Sequence, residues 1–149
     1  MVVKDKEIEK MCSFYVSEFH LEMILVPFIN DKIEKKEKII IKNEYSLENT
    51  LKILLSRINI KEENKTKILD LGWNIDKDNE IENESNIIII GSKKYIEKIN
   101  SEIIRENLKD ITIVDCYKID DIEDNVTSIV NNYNTNLNTS GFENLKKIK

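Results

Sequence analysis

Asn86-Ile87-Ile88-Ile89-Ile90-Gly91-Ser92 is the stretch that decides the fold. Four consecutive β-branched residues favour a strand, and an unbroken apolar run marks a strand covered on both faces. Gly91 ends that strand and Ser92 offers the side-chain oxygen of a helix N-cap. A doubly covered strand feeding directly into a helix is the unit from which α/β domains are built.

Outward from this unit the same theme repeats. Towards the N-terminus, Cys12, Phe14 and Val16 alternate with Ser13 and Tyr15, and Ser17 caps a helix bearing Phe19, Leu21, Met23, Ile24, Leu25, Phe28, Ile29 and Ile33. That helix is apolar around most of its circumference, which predicts burial, and Pro27 predicts a kink within it. Lys38-Ile39-Ile40-Ile41-Lys42 reads as a second strand, followed by a cap at Ser46. Leu47, Leu51, Leu54, Leu55 and Ile58 then define one helical face. Ile60 to Lys67 is a polar connection, and Lys67-Ile68-Leu69-Asp70-Leu71 reads as a third strand ending at Gly72-Trp73-Asn74. The acidic run from Asn74 to Asn86 has no apolar period and is expected to be a solvated loop.

Beyond Ser92, Ile96, Ile99 and Ile103 mark the core face of the next helix, and Ile111-Thr112-Ile113-Val114 a fifth strand that ends in Asp115-Cys116-Tyr117. Ile122, Val126, Ile129, Val130 and Tyr133 predict a last helix, stopping in the Asn- and Thr-rich run before Gly141, a residue suited to a left-handed C-terminal position. The expected architecture is therefore one three-layer α/β domain, a mainly parallel sheet of about five strands with helices on both faces. Its boundaries fall at residues 11–142, between an N-terminal arm, 1–10, and a basic tail, 143–149, with Lys146, Lys147 and Lys149.

Composition excludes several functions. With 23 Lys and Arg against 28 Asp and Glu, the net charge is −5, and binding to a phosphate backbone needs a clustered cationic face. No nucleic-acid partner is expected. The chain shows neither an apolar leader nor a membrane-length run; Cys12 and Cys116 lack CxxC spacing and read as reduced buried thiols. These features give a cytoplasmic protein with no membrane partner. Those two cysteines and His20, the single histidine, are too few and too scattered for a tetrahedral zinc set, so no metal site and no cofactor are expected.

In a parallel sheet, ligands bind beyond the carboxyl ends of the strands. The loops there supply Ser17, His20, Glu44, Trp73, Gly91, Ser92, Asp115 and Tyr117 as candidate ligand-binding residues. Gly91-Ser92 could hold an anion at a helix N-terminus, but three glycines in the whole chain form neither G-x-x-x-x-G-K-[ST] nor G-x-G-x-x-G. An ordinary capped turn is the favoured reading. Asp115 is the most interesting carboxylate because a strand end faces the crevice, whereas Asp121 and Asp124 read as charges in the first turn of the last helix. His20 has no paired nucleophile, and no catalytic residue is assigned.

Two segments resemble a known family. Phe14-Tyr15-Val16-Ser17, the helix with Val26-Pro27-Phe28-Ile29, then Glu37-Lys38-Ile39-Ile40-Ile41 and the helix after Ser46 look like the opening of the methanogen and methylotroph sensory (MEDS) domain. Asp115-Cys116-Tyr117-Lys118-Ile119-Asp120 is similar to a later strand of that family, which ends in a Cys-Tyr step. The resemblance covers about half the chain. It implies a RecA-like domain without a phosphate loop, serving as a sensory or regulatory module.

Three functions follow as expectations. The first is a non-enzymatic sensory or regulatory module binding a small ligand or partner protein at the strand ends. The second is a small nucleotide- or phosphate-binding enzyme using Gly91-Ser92 and Asp115. The third is an interaction protein that forms a homodimer through an exposed apolar face.

Overall fold

A computed structural model describes residues 8–73, 80–122 and 126–145. The elements run β1 (Ile8–Tyr15), α1 (Glu18–Glu34), β2 (Lys38–Asn43), α2 (Glu48–Leu55), α3 (Glu62–Leu69), β3 (Ser85–Ile90), α4 (Lys93–Glu106), β4 (Ile111–Lys118), α5 (Ile119–Ile122), α6 (Val126–Val130), β5 (Thr135–Asn138) and β6 (Gly141–Asn144). The six strands among the described residues form one sheet in the order β2-β3-β4-β1-β5-β6. The pairings from β2 through to β5 are parallel, and β6 runs antiparallel to β5. The chain is thus an α/β domain with a mainly parallel sheet.

Side-chain alternation along the strands divides the core in two. Ile88 and Ile90 of β3 join Met11, Tyr15, Ile39, Ile41, Val114 and Cys116 beneath α1, α2 and α3. Ile87 and Ile89 join Cys12, Ile40, Ile111, Ile113 and Tyr117 beneath α4, α5 and α6. Ser17 caps α1 by accepting from the His20 N–H at 3.1 Å. Pro27 lies inside α1 on its exposed side. Its missing N–H leaves the Met23 carbonyl without an intrahelical donor, and Met23 is itself exposed, so water can take that carbonyl.

Four expectations need correction. Residues 67–71 are not a strand, because Ile68 and Leu69 close α3 and Ile68 is buried one turn after Asn64. Asn64 is buried because its amide donates to Asn30 Oδ1 at 2.9 Å and to Glu34 Oε2 at 2.6 Å on α1. A polar residue at a core position thus breaks the apolar period that would have marked the helix. Secondly, the cap position of α2 is Leu47 rather than Ser46, with no side-chain capping bond, and the helix ends at Leu55, before Ile58.

Thirdly, the predicted last helix is two short ones, α5 and α6, and Tyr133 lies beyond both. Fourthly, the Asn- and Thr-rich run forms the β5-β6 hairpin, in which Gly141 takes its positive φ of 107° at the turn instead of capping a helix. β1 also begins at Ile8, inside the segment expected to be an arm, and β6 reaches Asn144, inside the expected tail. Residues 1–7, Asn74 to Asn79, Asp124 and Lys146 to Lys149 lie outside the described residues.

The α1-α2 contact buries one carboxyl group. Glu22 is 1% exposed; its Oε2 is paired with the Thr50 hydroxyl, while Oε1 has no hydrogen-bond partner among the described residues. Thr50 has one proton and two acceptors in reach, Glu22 and the Leu47 carbonyl at 3.2 Å. A protonated Glu22 resolves this by donating to Thr50, which then donates to Leu47. Burial accordingly raises the Glu22 pKa from 4.5 to about 7, against the lowering effect of Thr50.

Because the folded value exceeds the unfolded one, this group's stabilising contribution is complete below about pH 4.5 and is lost as pH rises through about 7. Denaturant unfolding is expected to show wild-type stability falling by on the order of 2–3 kcal/mol across that window from this residue. Glu22→Gln should remove that part of the slope; an unchanged slope would show that Glu22 is ionised throughout.

Candidate functional site

The eight residues expected at the strand ends do not converge on one pocket. Ser17 and His20 belong to the N-terminus of α1, where the His20 Nδ1 accepts from the Val16 N–H at 2.9 Å. His20 therefore closes the β1-α1 turn on itself. Trp73 is 2% exposed and packs in the core beneath α1 to α3. Its indole N–H donates to the Ile68 carbonyl at 2.6 Å, and its own carbonyl accepts from the Leu47 N–H and the Asn43 side chain. It locks α3 against the end of β2.

Glu44, Gly91 and Ser92 do meet. β2 and β3 are neighbours, and the Glu44 N–H donates to the Ile90 carbonyl at 2.8 Å. That bond carries the Glu44 side chain over the start of α4, where Oε1 accepts from the Ser92 N–H at 2.8 Å. Ser92 Oγ in turn accepts from the Tyr95 N–H at 3.2 Å, completing the expected N-cap. The anion position at this helix end holds the protein's own carboxylate, favourably placed against the helix dipole.

Gly91 is required here by proximity. A Cβ at this position would lie 2.6 Å from the Tyr95 ring and 2.8 Å from Glu44 Oε1. At the same end of the sheet, Tyr45 follows Glu44, and burial together with the Asp121 and Glu44 carboxylates pushes its phenol up.

Asp115 and Tyr117 form a different assembly. β4 continues through Lys118, so Asp115 sits mid-strand and not at the strand end; it is fully buried on the face covered by α4 and α6. This corrects its expected position facing the crevice. Tyr133, following α6, donates its hydroxyl to Asp115 Oδ2. Asn100 of α4 donates to Oδ1 at 3.0 Å, and the Lys10 ammonium of β1 lies 3.6 Å from Oδ2. Tyr117 and Tyr133 share a hydroxyl hydrogen bond at 2.8 Å, and Phe14 stacks on Tyr117 at 5.7 Å.

A cavity of about 250 Å³ opens above this group between α4 and α6. Desolvation raises the Asp115 pKa, opposed by Tyr133, Asn100 and Lys10. Burial also pushes Tyr117 up to about 12 and the neighbouring Cys12 thiol to about 12. Both cysteines are free and buried.

Three members of this group escaped the sequence reading. Lys10 lay in the segment taken as an arm, although it shares the alternation of Cys12 and Phe14. Tyr133 was assigned to a helix face. Asn100 carried the clearest signal, a polar residue inside the stripe Ile96, Ile99, Ile103. Among the described residues, no group of three or more His, Cys, Asp or Glu side chains is placed to hold a metal ion, and no helix is long and apolar enough to cross a membrane.

Two substitutions test the strand-end geometry. Ser92→Ala is expected to cost about 1 kcal/mol in thermal or denaturant unfolding, the usual value of one N-cap bond. Gly91→Ala should cost about 1–3 kcal/mol by overpacking against Glu44 and Tyr95; a neutral result would mean that Glu44 leaves the helix end without loss. No protein family, curated protein or solved structure matches this chain at a significant level.

Proposed function

We propose that the chain is a non-enzymatic sensory or regulatory α/β module that takes a small ligand or a partner protein at the carboxyl ends of its strands. The observation that carries this reading is the Glu44 carboxylate on the Ser92 N–H. A nucleotide-processing site at that turn would need the helix end for phosphate, and here it is filled by a side chain held in place through the neighbouring strand. The MEDS-like character of the N-terminal half belongs to the same proposal, as a RecA-like core without a phosphate loop.

A second reading, homodimer formation, is favoured by one specific feature. Met23, Phe19 and Ile53 are exposed large hydrophobics on α1 and α2. Met23 lines a groove of about 520 Å³ together with Val26, Pro27, Leu54, Ile58 and Ile60.

Thermal melting with ATP, GTP or inorganic phosphate, each with Mg²⁺, is expected to leave the wild-type midpoint unchanged. Glu44→Ala is expected to gain weak phosphate binding at the vacated helix end. A wild-type stabilisation approaching about 2.7 kcal/mol, the value for ligand at 100 times its dissociation constant, would replace this reading with the nucleotide-binding one. Light scattering at micromolar concentration decides the second reading: a dimer that Met23→Lys dissociates supports it, and a monomer removes it.

A further inference from the structure

We propose that the cleft between α4 and α6 binds a small organic cation, a primary or quaternary ammonium. The cation would sit between the Asp115 carboxylate and the Tyr133 ring, in the place that the Lys10 ammonium takes in the free protein.

The argument begins with the setting of Asp115. Ile87, Ile89, Ile111 and Ile113 are buried on the same sheet face, with Cys12, Ile40 and Tyr117. A buried charged group in such a face generally gives less stability than a well-packed apolar one, so a buried carboxylate lining a cavity calls for a role beyond packing.

Hydrogen-bond direction then fixes what the cleft can recognise. Tyr133 spends its one hydroxyl proton on Asp115, so the shared bond at 2.8 Å must use the proton of Tyr117. Asn100 spends its amide protons on the Ile96 carbonyl and on Asp115 Oδ1. The donors of all three side chains are thus consumed within the network. What remains on them is acceptor capacity and two aromatic faces, which suits a cation and not an anion.

Lys10 already shows the seat in use. Its ammonium lies 5.3 Å from the centre of the Tyr133 ring and 3.6 Å from Asp115 Oδ2. That separation exceeds hydrogen-bond length, and the Lys10 side chain is 38% exposed. It is a loosely held internal cation, free to swing into solvent when a better-fitting one enters. Lys93 at the mouth is paired with Glu97 at 3.4 Å, and the overall charge of −5 favours the approach of cations. The volume of about 250 Å³ fits an ammonium with a few carbon atoms. This site is separate from the strand-end reading, and the nucleotide screen does not bear on it.

Isothermal titration of the full chain with n-butylammonium and choline tests the proposal, with n-butanol and butyrate as neutral and anionic controls. Saturable binding of at least one ammonium is expected, with both controls at least about tenfold weaker. Lys10→Met should tighten ammonium binding severalfold by removing the internal competitor. Asp115→Asn should weaken it at least about tenfold, with circular dichroism reporting whether that variant is folded; if it is not, Lys10→Met and the two controls decide alone. The proposal is overturned if neither ammonium saturates the wild type or Lys10→Met, if Lys10→Met weakens or leaves unchanged the binding, or if butanol or butyrate binds equally well.

Discussion

The burial of β3 on both faces is the constraint on which the rest of the structure depends. Ile87, Ile88, Ile89 and Ile90 are all fully buried, and each contributes about 1.5–3 kcal/mol only when its own face is covered. Adjacent residues point to opposite sides, so neither helical layer can be dispensed with. The crossover after β1 supplies α1 for one side, and the helix leaving β3 supplies α4 for the other. The geometry at the strand's end follows from the same demand. For α4 to fold back over Ile87 and Ile89, the chain must turn at once, and the approach of Tyr95 and Glu44 to Gly91 leaves no room for a side chain there.

Two carboxyl groups lie inside these layers, and their surroundings differ in a way that separates packing from recognition. Glu22 has Thr50 as its partner and, among the described residues, an unpaired second oxygen, so burial favours its neutral form below about pH 7. Asp115 is the more deeply enclosed, yet it is met by a phenol, an amide and an ammonium from three elements or their flanks. Those donors oppose the rise that burial imposes on its pKa. Glu22 acts as a polar member of a helix contact; Asp115 organises a cavity.

The strongly periodic elements were legible in the sequence because burial and period coincide there. The β-branched runs of β2, β3 and β4 and the faces of α1 and α4 are of this kind. α3 was misread because its buried position 64 is an asparagine bonded to Asn30 and Glu34, which leaves Ile68 and Leu69 looking like part of a strand. β5 is hard to read because one of its residues, Leu137, is buried while a threonine and two asparagines make up the rest. It is held by tertiary bonds such as the Ser13 hydroxyl to the Leu137 carbonyl at 2.9 Å, a partner more than a hundred residues away in sequence. At the candidate sites, residue chemistry was readable and placement was not. Asp115 was noticed as a carboxylate beside an apolar strand, but its depth depended on β4 continuing to Lys118, and its partners come from β1, α4 and the turn after α6.

The placement of Glu44 changes, at one helix end, the polarity expected of a parallel sheet. Helix N-termini normally make the strand ends electropositive and suited to anions. In this chain the N-terminus of α4 is satisfied from within, by Ser92 Oγ and the Glu44 carboxylate. The uncommitted polarity instead lies on the sheet face, where Asp115 and the phenols turn acceptors and ring faces towards a cleft. An anion entering that cleft would meet a carboxylate at its floor, whereas a cation would meet the groups that already draw in Lys10. The side chain of Glu44, the residue after β2, thus fills the N-terminus of α4, and the cleft on the sheet face presents groups of the opposite sign.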